Sequence, residues 1–332
     1  MDDIGRRSVL YGFGALAVLG AVVGIPIIAE KPMQMPMARK DINGKPHILA
    51  DVHAHISRNI AKKDPSGIVG LLTEGLTAMT EGNGHILTYK DALDLCRFYR
   101  NGVEVTEIDR GRVARIRQGE NVGYVAKSQE LYLDHHVLAI GCREPIKGIS
   151  SPYDAIKKIK SEGGIAVLAH PYLLVDKGSY FPRLASSEKD LRKVMELAKT
   201  ADAIEVFNAH SIDFLYSGIP PIEWPLRVTG VGWMKRSNGM AQNLQQQLEQ
   251  EGIRKPGIAV SDAHSLPEQA RGGGIYIPDE DLTIEGIRNA ILSENFSMNQ
   301  TYVRRWSFLK SRCYDLMDKL DRPPPHALKV MK

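Results

Sequence analysis

Two short phrases, about two hundred residues apart, constrain the fold of this chain most. DVHAH at 51–55 follows the apolar run 48–50, and SDAH at 261–264 follows the apolar run 257–260. Each phrase places two metal-ligating side chains at positions i and i+2, which point to the same face of a β-strand. Ligand pairs at the ends of two distant strands predict a closed barrel with a metal site at its mouth. The paired residues are His53 with His55, and Asp262 with His264.

Further metal-ligating residues stand at the ends of strands predicted between these two phrases. Glu104 lies in the strand-like GVEV, His136 opens HVLAIG, and His170 ends AVLAHP, which also contains Pro171. Imidazoles together with carboxylates are the ligand set expected of hydrolytic Zn, Mn or Fe sites. A bridging carboxylate can hold two such ions about 3.5–4 Å apart. The pattern therefore predicts a centre of divalent metals.

Strand-like and helix-like segments alternate through the middle of the chain. With 332 residues and 43% apolar content, the chain is long enough to form one large barrel. Repeated βα units predict a parallel sheet, closed or nearly closed. The predicted strands are 48–52, 103–108, 136–141, 165–169, 203–207, 257–261 and 274–277, the helices are 66–79, 89–99, 152–162, 187–200, 238–251 and 283–294, and 111–134 reads as short antiparallel strands or a hairpin.

The first thirty residues form a segment of their own. Arg6 and Arg7 precede the uncharged stretch 9–29, which is long enough to span a bilayer. This start resembles a twin-arginine export signal. We expect 1–30 to act as a signal or membrane anchor, with the folded part on the extracytoplasmic side.

Composition divides the rest of the chain into three parts. The Pro- and Met-containing segment 31–46 predicts a linker, 47–300 the metal-hydrolase barrel, and 301–332 a basic C-terminal helix and tail. Within this tail, 306–320 has the apolar spacing of an amphipathic helix, which would pack on the barrel or lie on an anionic membrane surface.

Charge and cysteine content argue against three classes of protein. The net charge of +4 comes from basic residues near both termini, so the middle of the chain is mildly acidic. That balance gives no strong signal for nucleic-acid binding. The three cysteines form no CxxC pair, which argues against a zinc finger and a disulfide framework.

Six phrases in order make 47–300 similar to the PHP (polymerase and histidinol phosphatase) family. They are DVHAH, GVEV, HVLAIG, AVLAHP, AIEVFN and GIAVSDAH. The resemblance implies an α/β fold, a distorted (β/α)7 TIM-like barrel with its metal site at the C-terminal strand ends. It also implies two or three metals and hydrolysis, usually of phosphate esters.

The resemblance also implies a ligand set. The first metal would be held by His53, His55, Glu104 and Asp262. Glu104 would bridge to a second ion held by His136 and His170, and His264 would serve the remaining site. Asp51 would accept a hydrogen bond that orients a histidine.

One phrase departs from the family pattern. The family usually has Thr-Asp-His, whereas here Thr80 is followed by Glu81 and Gly82. Glu81 then replaces the aspartate, and Gly82 removes the imidazole. His85 would either take over that role or remain a loop residue, so both a two-metal and a three-metal centre stay open.

Several further residues are candidates for binding substrate. Glu81 and His85 follow the departing phrase, and Asn208 and His210 lie just beyond the strand 203–207, where surface positions are the alternative. Arg271 has a guanidinium group suited to phosphate, or to a plain salt bridge. Glu205 is expected to make a structural contact at its strand.

These features favour a metal-dependent phosphoesterase that uses a metal-activated water. The expected substrate is a small-molecule or nucleotide phosphoester, and the membrane is a partner through the N-terminal segment. An amidohydrolase-type C–N hydrolase is the first alternative, although such barrels often use a bridging lysine that is missing from 103–108 and 166–170. A membrane-tethered metal-binding scaffold without activity is the second.

Overall fold

The computed structural model describes residues 36–82, 86–99, 102–174, 183–210, 233–265 and 270–302. The predicted N-terminal anchor, His85 and the predicted C-terminal helix lie outside these described residues. Within the described part of the chain, no helix is both long and apolar enough to cross a membrane.

Nine strands form a nearly closed, barrel-like path in a mixed α/β structure, as the sequence predicts in outline. The order along this path is β12-β11-β8-β7-β6-β3-β2-β14-β15. The strands are β1 (Arg39–Ile42), β2 (Lys45–Ile56), β3 (Leu76–Glu81), β4 (Val103–Asp109), β5 (Val113–Gln118), β6 (Asn121–Leu131), β7 (Val137–Ile140), β8 (Ile165–Leu168), β9 (Leu173–Leu174), β10 (Arg183–Leu184), β11 (Ala203–Asn208), β12 (Gly257–Val260), β13 (Ala263–Ser265), β14 (Gly273–Pro278) and β15 (Ser297–Gln300).

The helices flank this sheet, and side-chain caps define where several of them begin. Ser57, Thr88, Ser187 and Thr283 each accept hydrogen bonds from backbone N–H groups of the first turn that follows. The helices are α1 (Arg58–Lys63), α2 (Pro65–Leu72), α3 (Tyr89–Phe98), α4 (Pro152–Ser161), α5 (Glu188–Thr200), α6 (Trp233–Gln250) and α7 (Ile284–Leu292).

Apolar side chains form three clusters around the sheet. One fills the inside and includes apolar residues of α7, the second lies under α4, α5 and α6, and the third lies under α1, α2 and α3. Helices therefore cover the outside of the sheet, and packed apolar side chains fill its inside.

The strands are not all parallel, contrary to the sequence prediction. β2, β3 and β6 run parallel to one another, and so do β8, β11 and β12. β7 runs antiparallel to both of its neighbours, and β14 runs antiparallel to β2. As a result, the start of β7 lies at the same end of the barrel where β6 and β8 finish.

Strand β13 connects the β12 end of the path to β2. It follows β12 almost directly and pairs in parallel with β2, so that His264 lies opposite His55. The backbone N–H of Asp262 also donates to the carbonyl of His53, with an N···O distance of 2.8 Å. These bonds join the two phrases that the sequence marks as ligand pairs.

A β-bulge in β2 changes which of its residues face inward. The register with β3 advances three residues in β2, from Asp51 to Ala54, but only two in β3. Before the bulge, Ile48, Ala50 and Val52 belong to the inner cluster. After it, Ala54 and Ile56 belong to the outer cluster, which leaves the alternate positions facing inward. The bulge thus places the two histidines above the apolar interior.

Two segments differ from the sequence prediction. The predicted helix 66–79 ends at Leu72, and 76–81 is strand β3. Its residues are apolar enough for either structure, and pairing on both sides with β2 and β6 decides in favour of the strand. In the predicted linker, 39–42 forms strand β1 and pairs with 45–48 of β2.

Gly141 is required where β7 ends under α7, and an alanine there tests this packing. Its φ is +72°, and a β-carbon would overlap the side chain of Ile284. Gly252 has a φ of +75° but no atom within 4 Å of such a carbon. We expect Gly252→Ala to lower the free energy of unfolding by about 1–2 kcal/mol through backbone strain alone. Gly141→Ala should cost a further ~1–3 kcal/mol from overpacking.

Urea denaturation followed by circular dichroism would measure both variants at the same metal concentration. Equal losses of stability for the two would contradict the close packing of α7 against the end of β7.

Candidate metal centre

Eight ionisable side chains, which we call the mouth cluster, meet at one end of the barrel. Six of these residues lie near the end of a strand or just after it. Of the other two, His136 precedes the reversed strand β7, and Glu205 lies within β11. The eight residues are His53 and His55 of β2, Glu130 of β6, Glu205 of β11, His264 of β13, and His136, His170 and Asp262 outside the strands. Most are buried, and the His264 side chain is the most accessible at 29%.

Glu130 lies at the centre of this cluster. Its Oε1 is 2.8 Å from His136 Nδ1 and 3.2 Å from His170 Nε2. Its Oε2 is 3.2 Å from His55 Nε2. One carboxylate therefore contacts imidazoles from both sides of the mouth.

The cluster contains three groups whose ligand atoms all lie within 4.8 Å of one another. Two of the groups share Glu130, and two share His55. The groups are His53 with His55 and Glu130, His55 with Asp262 and His264, and Glu130 with His136 and His170.

The separations around His53 and His55 fit a single metal ion. Their Nε2 atoms are 3.0 Å apart, and the Asp262 Oδ1 lies 3.4 Å from the first and 3.8 Å from the second. Metal–nitrogen and metal–oxygen bonds of about 2.0–2.2 Å keep two ligands of one ion no more than about 4.4 Å apart. All three distances satisfy this limit.

Hydrogen bonds to the other ring nitrogens hold both histidines in one tautomer. His53 Nδ1 is 2.7 Å from Glu205 Oε1, and His55 Nδ1 is 2.9 Å from the carbonyl oxygen of Thr80. Both partners are acceptors, so each Nδ1 carries its proton. In the neutral form that binds metal, the rings point the lone pairs of their Nε2 atoms at each other, an arrangement that a cation between them stabilises.

Glu205 supports both sides of the centre. Its second oxygen, Oε2, accepts the backbone N–H of His170 at 2.8 Å. The backbone of His170 has a φ of +24°, an unusual conformation for a residue other than glycine. A bulge in β11, between Glu205 and Phe207, lies beside these contacts. Glu205 therefore fixes the orientation of His53 and the position of His170.

Asp262 is fixed in a similar way. Its Oδ2 accepts the side-chain N–H of Asn208 at 2.9 Å, so Oδ1 is directed toward the histidines. Its backbone carbonyl accepts His264 Nδ1 at 2.8 Å, which leaves the Nε2 of that ring directed away from this bond. The backbone of Asp262 also has a positive φ, +49°.

The buried charges of the mouth cluster shift one another's pKa values. Burial raises the pKa of Glu130, but the nearby His136 and its hydrogen bonds outweigh this effect and hold that pKa well below its usual range. Burial lowers the pKa of His53, whereas Asp262 and Glu205 raise it well above its usual value overall. Without a bound cation, Asp262 and Glu205 therefore favour a proton on His53, and metal binding would displace that proton.

Ligand chemistry limits how the three groups can be occupied together. An imidazole Nε2 has a single lone pair, so His55 can serve only one ion at a time. A carboxylate has two oxygens, so Glu130 can bridge two ions. The groups at either side of Glu130 can therefore be filled together, which leaves His264 to contribute to any third position.

The carboxylate predicted at Glu104 requires correction. Glu104 is exposed on β4, opposite Arg117 of β5, and it belongs to none of the ligand groups among the described residues. Strand β4 pairs with β5 away from the nine-strand path, whereas β6 lies between β3 and β7. Glu130 therefore takes the central position. Its place six residues before His136, near the end of a strand, is the sequence signal that could have indicated it.

Asp51 does not orient a histidine ring, contrary to prediction. It accepts hydrogen bonds from the backbone N–H groups of His53, Ser261 and Arg271, and from the hydroxyl of Ser261. Burial raises the pKa of Asp51 to about 6, although these hydrogen bonds oppose the shift. It therefore ties β2 to the chain around Ser261.

Among the candidate substrate residues that the structure describes, two lie at the cluster, whereas Glu81 and Arg271 lie away from it. Asn208 contacts Asp262, and the buried His210 ring is 5.0 Å from that of His264. Glu81 instead faces the first turn of α3, where the backbone N–H of Tyr89 donates to it, and burial raises its pKa. His85 lies outside the described residues.

Arg271 is fixed at the opposite end of β3, so the predicted phosphate contact is wrong for this conformation. Its guanidinium donates to Glu74 at 2.7 Å and to the carbonyl oxygen of Leu71 at 2.5 Å. Both partners lie where α2 ends and before β3 begins. Arg271 therefore makes the salt bridge that the sequence leaves as its alternative role.

In comparisons with known proteins, no family model and no curated protein matches this chain. What the site can do is therefore argued from its geometry and chemistry.

Replacing each of the two competing glutamates tests the correction directly. Glu130→Gln should reduce metal affinity by at least ~10–100-fold, because the amide has neither the charge nor the second acceptor oxygen needed to bridge two ions. Glu104→Gln should bind metal as the unaltered protein does. Metal content after dialysis and calorimetric titration would measure the difference, and loss of metal from the Glu104 variant alone would contradict the assignment.

Proposed function

We propose that this protein is a metal-dependent hydrolase, and specifically a phosphoesterase. The observation that carries the proposal is Glu130, a carboxylate shared by two ligand groups at the mouth of the barrel. A shared carboxylate is the arrangement that holds two ions at the spacing suited to in-line displacement at phosphorus.

The chain offers a complete set of ligands for two divalent ions, Zn, Mn or Fe. One would be held by His53, His55, Asp262 and Glu130, and the other by Glu130, His136 and His170. Such ions supply Lewis acidity, which acidifies water and polarises phosphoryl oxygens. His264 would contribute to a third ion if one binds.

Other side chains of the chain hold this arrangement in place. Glu205 accepts a hydrogen bond from His53 Nδ1 and so keeps the proton on that nitrogen. Asn208 directs one oxygen of Asp262 toward the rings. Partners of this kind reduce the movement of the ligands and keep each ring in the tautomer needed for binding. The surrounding apolar clusters limit the access of water from below the mouth.

The position of the ligands also supports the resemblance to the PHP family. A distorted (β/α)7 barrel is our proposal for the fold in finer detail, with the antiparallel β7 as its main distortion. The resemblance pairs HVLAIG with a preceding glutamate, and in this chain we assign that role to Glu130 in place of Glu104.

The nature of the shared ligand favours a phosphoesterase over an amidohydrolase-type C–N hydrolase. The latter barrels often use a bridging lysine, whereas two ligand groups here share the carboxylate of Glu130. The expected substrates are small-molecule or nucleotide phosphoesters.

Removal and restoration of metal tests the proposed activity. Protein stripped by a chelator should not hydrolyse p-nitrophenyl phosphate or bis(p-nitrophenyl) phosphate, and reloading with Zn, Mn or Fe should restore turnover. His53→Ala and Asp262→Ala should each lower metal affinity by ~100-fold or more and lower turnover with it.

His47→Ala is the matched control, since this histidine lies earlier in β2, with its ring at the carbonyl of Lys45. It should keep both metal and activity. Two bound ions without turnover of any phosphoester would favour the scaffold, and turnover of amides alone would favour the C–N hydrolase.

We also propose that residues 1–30 direct the protein to a membrane or across it. The support is the pair Arg6 and Arg7 followed by the uncharged stretch 9–29. The full-length chain should fractionate with membranes or outside the cytoplasm. The double variant Arg6→Lys, Arg7→Lys should stay in the cytoplasm. A full-length chain that remains in the cytoplasmic soluble fraction would contradict this.

A further inference from the structure

Tyr132 lies at the lip of the mouth cluster and has no role in the ligand set. It follows Glu130 by two residues, and so continues the inward-facing side of β6. On the same strand Ala126 belongs to the inner apolar cluster, whereas Leu131 belongs to an outer one. The side chains of β6 alternate between the two faces of the sheet, and this alternation directs Tyr132 toward the mouth.

The ring of Tyr132 contacts a member of the mouth cluster. Its centroid is 5.1 Å from that of His136, and the two rings are perpendicular, with an interplanar angle of 89°. The His136 ring in turn lies 5.0 Å from that of His170. Edge-to-face contacts of this kind restrict the orientation of the rings. Tyr132 thus borders the ligand group that contains Glu130, His136 and His170.

Gly82 makes room for the other end of the Tyr132 ring. A β-carbon at position 82 would overlap the hydroxyl group and the adjacent ring carbons of Tyr132. Gly82 follows β3, directly after Thr80 and Glu81, and the carbonyl of Thr80 holds His55. The phenol therefore extends from His136 on one side of the mouth toward the side of His55.

This contact gives a physical reason for the glycine that the sequence marks as a departure. The PHP resemblance predicts an imidazole at position 82. The phenol of Tyr132, which directly follows β6, occupies that space instead. At the same time Tyr132 is 47% exposed, although it lies beside buried cluster residues. Part of the Tyr132 side chain is therefore accessible to solvent beside the mouth cluster.

We propose that Tyr132 is a substrate-contacting residue whose hydroxyl donates a hydrogen bond to a phosphoryl oxygen. This inference rests on the proposed phosphoesterase function and adds a specific residue to it. A tyrosine hydroxyl is a neutral donor at neutral pH, so it can bind an anionic phosphate without competing for the metals. Its restricted ring reduces the entropy lost when the contact forms.

Tyr132→Phe removes only the hydroxyl and is the direct test. The affinity of the metal-loaded protein for inorganic phosphate, measured by calorimetry, should fall by ~10–100-fold, as expected for a hydrogen bond to a charged group. Metal content should not change. Tyr153→Phe is the matched control, since this tyrosine lies in α4 and packs against an outer cluster, and this variant should bind phosphate normally.

A double-mutant cycle separates the contact from general damage at Gly82. Gly82 is not among the glycines with positive φ in the described residues, so alanine fits its backbone. Gly82→Ala should weaken phosphate binding by displacing the phenol. In a Tyr132→Ala background the same substitution should have almost no further effect, because the clashing ring is gone.

The outcomes distinguish this inference from the proposed function. Phosphate binding by Tyr132→Phe at the unaltered affinity would overturn the inference, even if the protein is an active phosphoesterase. Loss of metal from this variant would also overturn it, by showing that Tyr132 acts on the ligands. Weaker phosphate binding in Tyr132→Phe without turnover of any phosphoester by the unaltered protein would support the contact and contradict the proposed function.

Discussion

The mouth of this barrel is organised by the need to compensate buried carboxylates. Glu130, Glu205 and Asp262 are almost completely buried and lie close together. Burial of unpaired charge costs several kcal/mol per ion or more, so each must be paired with a cation or a strong donor. Imidazoles surround them, and in a metal-loaded protein divalent ions would take the place of protons on those rings. Charge compensation therefore connects the folding of the mouth to metal binding.

The backbone of the sheet makes this concentration of charge possible through a few irregular features. The bulge in β2 turns His53 and His55 inward, and the bulge in β11 lies at Glu205. The reversed β7 brings its first end, with His136, to the side where its neighbours finish. Bulges and reversals of this kind redirect side chains that a regular parallel barrel would place elsewhere. The distortions are thus part of the site.

One face of β6 connects the apolar interior, the ligands and the lip of the mouth. Ala126 lies in the inner cluster, Glu130 between the ligand groups, and Tyr132 at the lip over Gly82. Because side chains alternate along a strand, these three residues point to the same face, in order from the apolar interior toward the lip of the mouth. Strand β6 therefore provides the shared ligand, and the residue directly after it is the one to which we assign the contact with phosphate.

The amino-acid pattern predicts most of the alternation of strands and helices, apart from β1 and β3. It also marks residues that lie at the end of an apolar strand, such as His53, His170 and Asp262. Such signals are local, since they depend on the period of neighbouring side chains. The tertiary fold selects Glu130 over Glu104, because pairing between distant strands determines which strand lines the mouth. It also decided the partner of Arg271, since residues far apart in the chain supply its hydrogen-bond acceptors. Local periodicity gives the direction of a side chain within its strand, and long-range pairing gives the position of that strand in the barrel.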